Sequence, residues 1–248
     1  MKILVCISKT PDTTAKITFN ANNTKFNEEG VAFIINPSDE WYALVRALEL
    51  KESLGGSVEL ISVGREDYDP VIRKALALGA DGALRINSDT PDSYFVAAQI
   101  AHFASQGNYD LILTGKETID YNGSGLGGMV AAMLDVPYVS LATKLDLSPA
   151  ENQASFRREI EGGEEVGKVA LPAVVSCMKG MAEQRIPNMR GIMAARTRPL
   201  RVEEPVEAPM LTEAVRFELP PPREGMTKVD PENMEELVRL LHEEAKVI

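Results

Sequence analysis

The segment with the strongest chemical signature reads Thr114-Gly115-Lys116-Glu117-Thr118-Ile119-Asp120, then Tyr121-Asn122-Gly123-Ser124-Gly125-Leu126-Gly127-Gly128. An apolar run over residues 110–114 precedes it, and a helical pattern over 125–134 follows. Glycines in such a turn let backbone N–H groups approach a phosphate. The helix N-terminus adds unpaired donors and positive potential, and Ser124 could add a hydroxyl. The pattern is neither a Walker loop nor a GxGxxG. From these residues alone, a phosphate-binding turn and a flexible strand-to-helix connection fit equally well.

Other positions fall at the ends of apolar runs and should converge on the same edge of an open parallel sheet. Cys6 closes the first run, Asn36 and Pro37 lie in the loop between, and Val63 ends a later run. They could wall an adenine and ribose, or be ordinary strand ends. No catalytic constellation accompanies them. The sequence holds no Ser/His/Asp set, no placed Cys/His pair and no HExxH, and His102 and His242 sit far apart on predicted helices. Cys6 and Cys177 lie in apolar runs without CxxC spacing, so neither a dithiol nor a disulfide framework is expected. The expectation is a binding or carrier protein rather than a self-sufficient enzyme.

The 248 residues, 44% of them hydrophobic, suffice for a large core. The net charge of −11 argues against non-specific contact with nucleic acid or anionic membranes. The apolar run in MKILVCISKT is too short for a signal peptide or a span. The expected location is the bacterial cytoplasm or an organelle matrix, with no direct membrane insertion.

Positioning these residues requires alternating elements. Strands are predicted over 2–8, 57–63, 82–87, 110–114, 136–143 and 171–178. Helices are predicted from Ser38 or Asp39 to Leu54, and over 70–78, 93–105 and 125–134. Residues 15–19 and 30–35 should form a hairpin excursion. Residues 145–168 should form a polar two-strand insert turning at Gly162-Gly163. The alternation implies an α/β fold, a doubly wound, mostly parallel sheet of adenine-nucleotide-binding type. This domain is expected over 1–198. A Pro-rich arm follows over 199–248, closing in a helix capped by Asp230 with the stripe Met234, Leu237, Val238 and Leu241. That stripe could dock on its own domain or on a partner subunit.

Several motifs then occur in a specific order. Lys9-Thr10-Pro11-Asp12 follows the first strand, then Ile35-Asn36-Pro37-Ser38-Asp39-Glu40. Arg73-Lys74-Ala75-Leu76-Ala77-Leu78-Gly79-Ala80-Asp81 comes next, followed by Leu113-Thr114-Gly115-Lys116-Glu117-Thr118-Ile119-Asp120. Arg158-Glu159-Ile160-Glu161-Gly162-Gly163, Leu171-Pro172-Ala173-Val174-Val175 and Pro187-Asn188-Met189-Arg190-Gly191-Ile192-Met193-Ala194-Ala195-Arg196 complete the set. With these motifs, over nearly its whole length, the chain resembles the beta subunit of electron-transfer flavoproteins.

The resemblance implies a heterodimer with an alpha subunit that holds most of an FAD, and a structural AMP in the beta subunit. It implies electron transfer from acyl-CoA-type dehydrogenases, as in fatty acid beta-oxidation, to a membrane quinone oxidoreductase. By match to the family, Cys6, Asn36, Pro37, Val63, Asp120, Gly123, Ser124, Gly125, Leu126 and Gly127 contact the AMP. Asp12 and Thr13 lie near the alpha-bound FAD. Glu159 meets the mobile flavin domain, and Met189 anchors a partner-recognition loop over about 182–196. The arm is expected to pack on the partner subunit.

The chain departs from the family at two places. The phosphate loop, usually Asp-rich with Thr or Gln side chains, here reads Tyr-Asn-Gly-Ser-Gly-Leu-Gly, which shifts binding toward the backbone. Trp41-Tyr42 is unusual after Asn-Pro-Ser-Asp-Glu. Two alternatives remain: an electron-bifurcating relative with a second FAD in place of AMP, and a stand-alone adenine-nucleotide-binding domain. The Asp-x-Asp-Thr-Ala-Gln type of loop argues for the first where present, and this chain lacks it.

Overall fold

A computed structural model describes residues 1–37, 39–222 and 225–248. Its spine is a sheet of nine strands among the described residues. Strand β1 is Lys2–Cys6, β4 Ser57–Val63, β5 Gly82–Ile86, β6 Leu111–Gly115 and β10 Ala173–Cys177. With β7 Tyr138–Ser148, β8 Gln153–Ile160, β9 Gly163–Ala170 and β11 Leu200–Glu203, the order is β11-β5-β4-β1-β6-β10-β7-β8-β9. Pairing is parallel from β11 to β7 and antiparallel through β8 and β9. The doubly wound α/β fold expected from the sequence is therefore observed.

The strands are apolar throughout because both sheet faces are covered. Ile3 and Val5 of β1 face one core with Leu44, Leu48, Ile72 and Leu76. Those four come from helices α1 (Asp39–Leu54) and α2 (Asp69–Leu78). Leu4 and Cys6 face the other core with Ile100 and Val130, from α3 (Ser93–Ser105) and α4 (Leu126–Leu134). Each fully buried aliphatic side chain contributes roughly 1.5–3 kcal/mol of transfer free energy.

Several expectations are corrected. The excursion pairs residues 33–35, as β3 (Phe33–Ile35), with β2 (Lys9–Pro11), a segment expected to be loop. Residues 15–19 contribute only an isolated bridge, Phe19 to Phe26. None of residues 15–19 is buried, so no apolar face holds them as a strand, whereas Ile35 is fully buried. The insert is not separate from the preceding strand. β7 continues to Ser148 because Leu145, Ala154 and Phe156 extend the core.

The expected cap Ser38 lies outside the described residues, and Asp39 is already helical. The last helix, α6 (Met234–Arg239), follows α5 (Met189–Ala195) in chain order. It is capped by Asn233, whose side chain accepts from Glu236 N. Asp230 does not cap it, because its carboxylate accepts from Glu232 N in a local turn instead.

The arm begins inside the sheet, with β11 parallel to β5. It then crosses α3. Gln99, fully buried, donates to Val206 O (2.9 Å) and accepts from Val206 N (2.8 Å). Asp92 Oδ2 accepts from Thr212 N (2.8 Å) and Thr212 Oγ1 (2.6 Å), while its Oδ1 accepts from Phe95 N as the α3 cap. Phe217 stacks on Phe19 with ring centroids 5.2 Å apart. Up to residue 217 the arm is thus tied to its own domain, whereas Met234 and Val238 of α6 are exposed. Asp92→Ala removes a cap and both arm bonds, so it should cost about 1–2 kcal/mol and open residues 204–217 to protease. Limited proteolysis with a melting curve checks this; unchanged cleavage would show that Gln99 and Phe217 hold the arm without Asp92.

Candidate functional site

The chain winds from β1 to β4 and β5 on one side, then returns to β6, β10 and β7 on the other. β1 and β6 therefore flank the switch point, where ligands bind outside the carboxyl ends of the strands. The expected nucleotide residues gather along this edge, but in different roles.

Asn36 is fully buried and bridges two loops. Its Nδ2 donates to Glu117 O (2.8 Å), and its Oδ1 accepts from Ile119 N (3.0 Å). It fixes the segment after β6, and the half-buried Pro37 follows it toward α1. Cys6 ends β1 with its thiol in the α3–α4 core, where burial pushes its pKa up. Val63 is half-buried at the end of β4. Beside it, Gly64 carries the Tyr68 ring directly on its Cα, where a Cβ would lie 2.4 Å from ring carbons.

The glycine-rich loop opens α4 as the sequence suggested. Asn122 (φ +51°) and Ser124 (φ +50°) adopt left-handed backbone, and Gly125 caps α4 with no side-chain hydrogen bond. The first-turn N–H groups of Leu126, Gly127 and Gly128 have no intrahelical acceptor. They form a donor cluster suited to an anion. Gly127 is required here, since a Cβ would lie 2.9 Å from both Thr114 Oγ1 and a Tyr138 ring carbon. Ser124 is diverted: its Oγ donates to Glu117 Oε2 (2.7 Å), and Glu117 also pairs with Lys116 at 2.9 Å. Asp120 is exposed on the same loop.

Two polar residues of this edge belong to motifs quoted above but were not among the expected site residues. Glu40, in the first turn of α1, is buried against Gly115. Ser8 N donates to its Oε2 (2.6 Å), and Ser8 Oγ lies 2.5 Å from its Oε1. Burial, with the Asp120 and Asp39 carboxylates nearby, pushes its pKa up to about 8 against the Ser8 bonds. The second is Thr114, whose Oγ1 is buried and has no hydrogen-bond partner. Both had the same sequence signal, a polar residue at an otherwise core-facing position, and nothing local distinguishes such a residue from a solvated one.

Asp12 and Thr13 follow β2, Glu159 lies on β8 and Met189 on α5. Asp12 Oδ1 accepts from Thr14 N and Thr14 Oγ1, and those bonds lower its pKa. Asp12 borders a shallow cavity with Lys16, Glu29 and Gly30, and Thr13 is exposed beside it. Glu159 is exposed near the end of β8, opposite Glu164. Met189 opens α5 behind the Asn188 cap and is 72% exposed, with Ile186 and Met193 exposed nearby.

α5 is held against α2 by Arg73, which donates to Ala195 O (2.8 Å) and Arg198 O (2.6 Å). A Cβ at Gly191 would strike Ala77 O, so the glycine permits this close approach. Among the described residues, no helix is long and apolar enough to cross a membrane.

A family model described as electron transfer flavoprotein domain matches residues 23–208. The chain belongs to the electron transfer flavoprotein beta-subunit family. It is 36% identical to the electron transfer flavoprotein subunit beta of Bacillus subtilis, over 100% of both chains. It is 32% identical to protein FixA of Azotobacter vinelandii, covering 84% of this chain and 76% of that one. It is 29% identical to the acryloyl-CoA reductase electron transfer subunit gamma of Anaerotignum propionicum, over 82% and 77%.

Proposed function

We propose that this chain is the beta subunit of a heterodimeric electron carrier, with an alpha subunit that binds most of an FAD and a structural AMP bound here. The observation that carries the reading is the uncapped first turn of α4 at the switch point. Its backbone donors suit one phosphate, and residues 118–128 contain no Lys or Arg to balance a triphosphate. Asn36 and Glu40 position the loops, while Gly123, Gly125, Leu126 and Gly127 supply backbone. FAD supplies the redox chemistry, with Asp12 and Thr13 on the surface facing it. The chain's own task is to bind, orient and dock.

Denaturing the complex purified with its alpha subunit should release one AMP and one FAD per heterodimer, read by mass spectrometry. Two FAD and no AMP would place the protein with the bifurcating relatives.

In this reading the donor is an acyl-CoA-type dehydrogenase and the acceptor a membrane quinone oxidoreductase, with Glu159 meeting the mobile flavin domain. A relative named as an electron transfer subunit of acryloyl-CoA reductase supports a partner enzyme of acyl-CoA type, without fixing the direction of electron flow. Met189 is proposed as the docking anchor because it is an exposed, flexible apolar side chain on a segment fixed from behind by Arg73. Met189→Ala should weaken dehydrogenase binding by about tenfold or more while nucleotide content stays constant. A lowered melting temperature with unchanged affinity would refute the anchor.

A further inference from the structure

We propose that the groove between α2 and α5 receives an aliphatic side chain that the partner enzyme presents among carboxylates. The inference rests on the docking reading above and gives the chemistry of the partner's surface. Ala77 and Ala195, both buried, lie at the bottom of the groove, with Ile186, Pro187 and Ile192 along it. Ile186 is 83% exposed and Ile192 42%. With Met189 and Met193 they form an apolar patch on one short segment. A patch of this kind, rimmed by polar residues, marks an interaction surface.

The rim is basic in an acidic chain. Residues 179–202 hold six Lys and Arg and one carboxylate, Glu183, while the whole chain carries −11. The cations around the groove divide by what they hold. Arg73 donates to Ala195 O and Arg198 O, and Arg198 donates to Leu76 O (2.7 Å). Arg185 is paired with Glu52 at 2.7 Å. Lys74, Arg190 and Arg196 are exposed and form no ion pair among the described residues, and Lys74 and Arg196 line the groove. An acidic chain repels an acidic partner at long range, so a local basic collar steers the encounter and fixes its register. Carboxylates are the complement of that collar. Lys74 also lies toward the surface assigned to the FAD. The Asp12 carboxyl, held low first by its Thr14 bonds, is lowered further by the Lys74 charge. A partner seated in the groove therefore lies beside the flavin-facing surface.

The test uses the complete heterodimer and an acyl-CoA dehydrogenase with butyryl-CoA. Binding rates are read by surface plasmon resonance and flavin reduction by absorbance. Lys74→Gln/Arg196→Gln should bind about tenfold more weakly, chiefly through slower association. Raising the ionic strength from about 0.05 to about 0.5 M should slow association of the parent about tenfold, and of this double variant about threefold or less. Lys74→Arg/Arg196→Lys keeps both charges and should stay within about twofold of the parent. Ile192→Ala should speed dissociation about fivefold and leave the salt response intact. Lys168→Gln, at an exposed cation of β9, is the control and should match the parent. Melting temperature and nucleotide content should not change in the charge variants.

Parent affinity in Lys74→Gln/Arg196→Gln, an unaltered salt response, or an equal loss in Lys74→Arg/Arg196→Lys would each overturn the assignment, while the docking reading stands on Met189→Ala. Binding of the parent to phosphatidylglycerol vesicles or duplex DNA as tightly as to the dehydrogenase, lost in the double variant, would assign the rim to another polyanion and overturn it as well. A parent heterodimer whose flavin the dehydrogenase does not reduce overturns the docking reading and this inference together.

Discussion

Glu40→Gln should remove a pH dependence of stability that the parent chain shows between about pH 4.5 and 8. Burial, aided by Asp120 and Asp39, raises the Glu40 pKa from 4.5 to about 8. In that window the unfolded chain has released the proton and the folded chain retains it. Stability therefore falls as pH rises through the window and levels off above about 8. A shift of this size corresponds to a ceiling on the order of 4–5 kcal/mol.

A neutral Glu40 can turn its O–H to Ser8 Oγ, whose hydroxyl otherwise donates to Glu40 Oε1, while its other oxygen accepts from Ser8 N, and a glutamine amide can make both bonds. The variant should thus match the parent near pH 4.5 and exceed its stability by a few kcal/mol at pH 8. Urea unfolding of both proteins at pH 5 and pH 8 measures the difference. The same parent-to-variant gap at the two pH values would mean that Glu40 ionises normally in the folded state.

Gly115→Ala should lower the melting temperature by roughly 5–10 °C and weaken retention of the nucleotide proposed to bind beside it. Gly115 ends β6 where α1 begins to pass over it. A Cβ there would lie 2.8 Å from Glu40 Cγ, 3.1 Å from Asp39 Cβ and 3.1 Å from Glu40 N. One of these is backbone, so the clash is relieved only by moving the start of α1 away from the sheet. Overpacking of this kind costs about 3 kcal/mol. The shift would also pull on Asn36, just before α1, and loosen its hold on Glu117 and Ile119. Gly163→Ala is the control, because its Cβ would meet nothing within 4 Å. Thermal melting and nucleotide content of the two variants decide the matter. If Gly115→Ala behaves like Gly163→Ala, the contact between α1 and β6 is looser than its geometry requires.

The sequence by itself determined the layered frame. Runs such as Ile3-Leu4-Val5-Cys6 and Leu111-Ile112-Leu113 are apolar on both faces, which only a covered parallel sheet accommodates. The glycine stop at Gly79 and the turn at Gly162, both at positive φ, were legible because they are local. The loop over residues 123–127 was legible as a donor-rich helix start for the same reason.

Tertiary structure decided what depends on distant neighbours. Lys9–Pro11 became a strand only because residues 33–35 return beside it, and residues 200–203 joined the sheet only because β5 offered an open edge. Cys6, read as a site residue, turned its thiol into the core because strand side chains alternate faces and β1 has a core on each. Ser124 lost its hydroxyl to Glu117, Thr114 was left without a partner, and Glu40 acquired its raised pKa. Each of these is set by which atoms of remote segments come within about 3–4 Å. Local periodicity carries no information about that, because burial and hydrogen-bond partners exist only once the sheet has closed around them.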